Sequence, residues 1–154
     1  VKTNFAVKPN GNDRAQAKSV KAGECDVAFA NTYYMGLMQN NEKEPEQKEW
    51  AAATRMVFPA SDAMGTHVNI SGMLMVKSAP NKDNAMKLME FLASDEAQSL
   101  YASANYEYPV NPTVAPDKTV AAWGTLKPDT LNVAEIAKYL KRASELVAEV
   151  DMNN

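Results

Sequence analysis

The stretch that most restricts what this chain can become runs from Gly23 to Tyr34: Gly-Glu-Cys-Asp-Val-Ala-Phe-Ala-Asn-Thr-Tyr-Tyr. Val27 to Ala30 has the length and apolarity of a buried strand. Asn31 or Thr32 suits the N-cap of a helix carrying Met35, Leu37 and Met38. The expectation is a strand, a tight turn and a helix N-terminus. In an open α/β sheet, ligands bind beyond the carboxyl ends of strands, and the free amide groups of a helix N-terminus attract anions. Both tyrosines are expected at that edge.

Two adjacent phenol oxygens can converge on one cation. An unperturbed phenol ionises near pH ~10, so holding a pair as phenolates at neutral pH takes a strong, hard Lewis acid close by. Ferric iron meets that requirement. Zinc and copper more often call on His and Cys, and this chain has one of each, His67 and Cys25. Spacing alone leaves a second arrangement open, with one ring packed in the core and the other on the surface.

The same string resembles the tyrosine-pair motif of bacterial ferric-ion-binding proteins, the periplasmic components of iron ABC transporters. Gly65-Thr66-His67-Val68-Asn69-Ile70-Ser71-Gly72 and Asn105-Tyr106-Glu107-Tyr108-Pro109-Val110-Asn111-Pro112 resemble two further signatures, in the family's order. The resemblance runs from about Asn4 to the end. It implies an α/β, type II periplasmic-binding-protein fold of two lobes, present here as the C-terminal portion. Tyr33 and Tyr34 are the implied ferric ligands. Asn31 is implied to hold a synergistic anion, carbonate or phosphate, with Asn12 or Asn10 assisting. An inner-membrane ABC transporter permease and a periplasmic address are implied as well.

By the same resemblance, residues 1–59 and 113–154 belong to the second lobe and 60–112 to the first. The middle segment is then expected to dock on the missing N-terminal portion, to pair with a second copy of the chain, or to expose a sticky apolar face. Crossings between lobes are expected at Ala60 to Gly65 and at Asn105 to Pro112. A few irregular residues at such a crossing can absorb the rotation of one lobe against the other.

Composition narrows the alternatives. The net charge of -3, without a basic block or stripe, argues against nucleic acid and anionic membrane as partners. No apolar run approaches the length of a membrane span. Cys25 stands alone, which excludes an intrachain disulfide, and reads as a buried structural thiol.

Along the chain, Val1 to Lys8 alternates as a strand closed by Pro9-Asn10-Gly11, and Asn12 or Asp13 caps a helix stopped by Gly23. Pro45 opens a helix to about Thr54, anchored by Trp50. Arg55 to Phe58, Val68 to Ile70 and Met73 to Val76 are short strand candidates. Pro80-Asn81 and Ser94-Asp95-Glu96 open a pair of helices. Prolines at 109 and 112 predict an extended Asn105 to Pro112, with Tyr106 and Tyr108 on one face as competing phenols. Asn132 to Glu135 resembles a capping box opening the longest helix, with a stripe from Val133 to Val150 that seeks a core. His67 reads as a hydrogen-bonded structural residue.

A transport binding protein for ferric iron is the leading expectation. The same fold holding thiamine, phosphate or another small anion is the alternative. An enzyme is not expected, because no Ser-His-Asp arrangement, glycine-rich phosphate loop or second imidazole or thiol can be placed.

Overall fold

The computed structural model describes residues 2–8, 10–60 and 64–152. Val1 and Pro9 of the expected first strand and turn, and residues 61–63 of the expected crossing, lie outside the described residues.

Helix α1 (Asp13–Lys21) begins where Asn12 leaves the helical region and its side-chain oxygen accepts from the Arg14 and Ala15 amides at 3.0 and 3.3 Å. It ends at Gly23, whose φ of +74° lets the Gly23 and Glu24 amides turn back onto the Val20 and Ser19 carbonyls. Helix α2 (Thr32–Gln39) starts directly after Asn31, and α3 (Glu46–Ala52) directly after Pro45.

These three helices pack together because each offers a small or flexible apolar residue on one face. Ala17, Met38 and Ala51 form the buried cluster, with Met35 and Trp50 against it. The alanines bring the helix backbones close, and the methionines fill what remains. Gln47 is buried and accepts from Arg14 Nε at 3.1 Å, so its burial leaves the carbonyl satisfied. Lys21 and Glu49 pair across α1 and α3 at the surface, and the Lys18 ammonium lies 5.5 Å from the Trp50 ring centroid.

Helices α4 (Lys82–Leu92) and α5 (Asp95–Asn105) form the expected pair, with the Ser94 hydroxyl accepting from the Ala97 amide at 3.3 Å. Helix α5 meets α2 through one close approach: a Cβ on Gly36 would stand 2.3 Å from Cγ of Tyr106. Helix α6 (Lys118–Ala121) has no counterpart in the sequence reading; Asp117 caps it and Val120 is wholly buried. Trp123 Nε1 donates to Gln39 Oε1 at 3.3 Å and ties this region to the end of α2.

Several expectations change. The longest helix is interrupted, giving α7 (Val133–Ala137) and α8 (Leu140–Glu149), with Asn132 accepting from the Ala134 amide as anticipated. At the break the Lys138 and Tyr139 amides donate three residues back, to the Glu135 and Ile136 carbonyls, which tightens the turn. The apolar stripe remains exposed at Leu140, Leu146 and Val150, so no packed surface holds the two pieces in line. Asn105 is the last residue of α5 rather than extended, and Tyr106 is left-handed at φ 57°. A proline restricts only the residue before it, so Pro109 reaches Tyr108 and not Tyr106. Cys25 is half-buried rather than buried.

None of the expected strands is paired among the described residues. Lys2–Asn4 is a 3-10 turn, and the sole bridge there is the parallel contact of Thr66 with Pro128. A strand exists only as part of a ladder, and the apolar segments that pattern as strands find none here. Val27 and Phe29 are 78% and 83% exposed, and Leu74 is 92% exposed. The chain exposes 11564 Å², whereas a compact protein of its mass exposes roughly 7,600 Å². The strand-like segments contribute to that difference, being apolar, irregular and open, and so do exposed helix residues such as Leu88 and Leu140.

Candidate metal centre

The first turn of α2 carries Tyr33 and Tyr34, and the first turn of α1 lies beside it. The two phenol rings are 4.4 Å apart between centroids and tilted by 30°. Both are half-buried. The Arg14 guanidinium sits over the Tyr34 ring at 4.9 Å, a cation against the negative face of the ring. Arg14 is held there by its bond to Gln47 and by its place in the capped turn of α1.

Tyr33 is pushed up to about 12, chiefly by its hydrogen bond with Tyr34, with smaller effects from burial and from the negative charges of Tyr34, Asp13 and Glu107. The Tyr33 phenol therefore resists ionisation beside its neighbour. A cation that removes both protons gains two hard oxygen donors with acidic neighbours, which favours a small, highly charged ion. The donor set therefore fits ferric iron. Among the described residues no group of three or more His, Cys, Asp and Glu could hold a metal ion.

Asn31 stands at the N-cap of α2, yet its side chain makes no cap bond. Its backbone amide and its Nδ2 both donate to Asp13 Oδ2, at 2.6 and 3.1 Å. Asn12 is one residue from Asp13, with its side-chain oxygen committed to α1. Asn10 contributes its backbone carbonyl, which accepts from Gln16 Nε2 at 2.9 Å. The fold thus brings Tyr33, Tyr34, Asn31 and the Asn12 turn together, and places Asn10 one turn outside α1.

Sequence reasoning missed Asp13 as the partner of Asn31 and Arg14 as the neighbour of Tyr34. The available signal was their position in the first turn of a capped helix, which puts a carboxylate and a guanidinium at the same end as the cap. Of the competing phenols, the Tyr106 ring covers Gly36, and the Tyr108 hydroxyl is buried with no hydrogen-bond partner among the described residues, its phenol raised by that burial. His67 Nδ1 pairs with Asp129 Oδ2 at 2.9 Å, as a structural histidine does.

Known proteins share this arrangement of chain. Iron uptake protein A1 of Synechocystis sp. is 44% identical over 96% of this chain and 41% of its own length. The solved structure of a Bordetella ferric binding protein, 52% identical, superposes with a TM-score of 0.89 over 100% of this chain and 49% of its own. A Trichodesmium protein solved in complex with iron and citrate ligands is 42% identical, with a TM-score of 0.89 over 96% of this chain and 46% of its own. The chain spans less than half the length of the curated relatives it matches. Its fold is accordingly part of the two-lobe, type II periplasmic-binding-protein architecture. The model of the bacterial extracellular solute-binding proteins matches residues 4–128, and the chain belongs to that family.

Proposed function

We propose that this chain carries ferric iron as cargo for an ABC transporter, with Tyr33 and Tyr34 as its ligands in the tyrosinate form. The observation that carries this reading is the pair of phenols at 4.4 Å with acidic neighbours, on a chain whose relatives are named for iron uptake and ferric binding. Two phenolates leave coordination positions open, and a small anion, carbonate or phosphate, can fill them beside Asn31, with Asn12 and Asn10 flanking, once the Asn31 donors are freed from Asp13. No covalent bond of a substrate is made or broken. The cargo is handed in the periplasm to an inner-membrane permease.

Residues 1–59 and 113–154 form one lobe in this reading, and 60–112 belongs to the other. The exposed Val27, Phe29 and Leu74 are covered by the remaining part of the two-lobe fold, which offers the strands that these segments lack. A second copy of the chain is the competing cover, and sedimentation separates the two: a compact, monodisperse monomer of this chain would contradict both.

The test of the cargo is a visible-absorbance titration with a ferric chelate, run on the chain and on its Tyr33→Phe and Tyr34→Phe variants. Tyrosinate bound to ferric iron absorbs by charge transfer, so a band is expected that each substitution removes. A band that survives both would place the iron elsewhere. Absence of a band, in this chain and in the longer protein alike, would favour a different small ligand in the same fold.

A further inference from the structure

The polar contact that the ferric reading leaves unused is the one between Asp13 and Asn31. A single carboxylate oxygen of Asp13 accepts from both the backbone amide and the side-chain amide of Asn31. These are the donors that Asn31 would offer to a free anion. Charge-assisted bonds of this kind are stronger than neutral ones, and two donors aimed at one oxygen describe how a bound anion is held. The carboxylate also lies at the N-terminal end of α2, where negative charge is favoured. It is fixed there by α1, whose first residue it is and whose cap, Asn12, sets the direction of that turn.

We propose that Asp13 is a specificity-determining residue of the ferric site: its carboxylate occupies the donors of Asn31, and a free anion must displace it before Asn31 can serve. The proposal rests on the ferric reading for its purpose, but its geometry stands in the metal-free chain. Asp13 acts as a tethered anion. Its effective concentration at Asn31 is set by the fold and exceeds that of carbonate or phosphate in dilute solution. A free anion arriving beside it also meets a like charge. Arg14, one residue on, keeps a positive charge next to the Tyr34 ring. The consequence is a site whose iron binding depends little on added anion.

The experiment follows the Asn31 backbone and side-chain amide resonances of the metal-free chain while inorganic phosphate is added, in the wild type, Asp13→Asn and Asp13→Ser. Both substitutions keep residue types that start a helix well, and the Ala15 and Ala17 amides report whether α1 stays folded. Wild-type Asn31 is expected to respond no earlier than the amides at the N-terminus of α5, which serve as the non-specific control. In the folded variants the half-saturating phosphate is expected to fall about ten-fold or more. An early response in the wild type, or equal half-saturation in wild type and variants, would overturn the proposal.

The ferric-chelate titration is then repeated with and without phosphate. A wild-type band indifferent to phosphate, beside an Asp13→Asn band that needs it, is the expected pair. No ferric band, together with the predicted Asn31 response, would remove the ferric reading and leave the competition of Asp13 standing. A band with the same phosphate dependence in both proteins would do the reverse.

Discussion

The rings of Tyr33 and Tyr34 lie 4.4 Å apart, and the hydrogen bond between the two side chains is the chief reason that Tyr33 is pushed up to about 12. The folded chain therefore holds the Tyr33 proton more tightly than the unfolded chain, where the phenol ionises near ~10. Between those values the unfolded state binds fewer protons, so this contribution to stability is complete below about pH 10 and is lost as pH rises toward 12. Besides Tyr108, which burial raises, spectrophotometric titration should show a late-ionising Tyr33 in the wild type. Tyr34→Phe should bring it back toward the ordinary value, since it removes the first cause and leaves only the weaker effects of burial, Asp13 and Glu107.

Gly36 is a case in which helix propensity points the wrong way. Alanine in an open helix interior is favoured over glycine by about 1 kcal/mol, but here the added Cβ would meet Cγ and Cβ of Tyr106 at 2.3 and 2.4 Å. Those atoms are the root of the side chain and cannot swing away. Gly36→Ala should destabilise the chain by about 1–3 kcal/mol in a denaturant titration. Tyr106→Ala in the same background should recover part of the loss, which a double-mutant cycle would measure.

Tyr108 buries a hydroxyl with no partner among the described residues, and burial raises its phenol. Removing an unsatisfied buried hydroxyl while keeping the ring relieves a desolvation cost of about 1 kcal/mol or more. Tyr108→Phe is expected to leave stability unchanged or raise it, and to leave the ferric band intact. A clear loss of stability would mean that the hydroxyl has a partner in solution.

Asn12 should matter twice. Asn12→Ala removes the acceptor for the Arg14 and Ala15 amides and is expected to cost about 1 kcal/mol in thermal or chemical unfolding. It should also loosen the turn that aims Asp13 at Asn31. The Asn31 amide resonances of the folded variant should therefore move toward those of Asp13→Asn.

Much of the site was legible because its parts are local. The cap at Asn12 depends on a side chain bonding to backbone within a few residues, and the stop at Gly23 on one backbone conformation. Such signals survive in any context. Tyr33 and Tyr34 are neighbours in sequence, so a helix start places both at one end with no help from the rest of the fold. The caps at Ser94, Asn132 and their helices were readable for the same reason.

What spacing could not supply was everything that depends on a partner far along the chain. Val27 to Ala30 and Met73 to Val76 carry the pattern of strands, but a pattern states what a segment would bury and not whether a ladder stands beside it; Phe29 and Leu74 remain open. The stripe from Val133 to Val150 likewise asks for a surface, and without one the helix breaks after Ala137. Asp13 and Asn31 are 18 residues apart, Arg14 and Gln47 are 33 apart, and only the packing of α1, α2 and α3 brings these pairs within hydrogen-bond reach. The sequence by itself determined where α1 to α5 and α7 start and that two phenols share one helix end, because those are short-range preferences of the backbone. The tertiary structure alone decided which charges surround the phenols and what already occupies Asn31, because electrostatic and hydrogen-bond partners are set by distance in space.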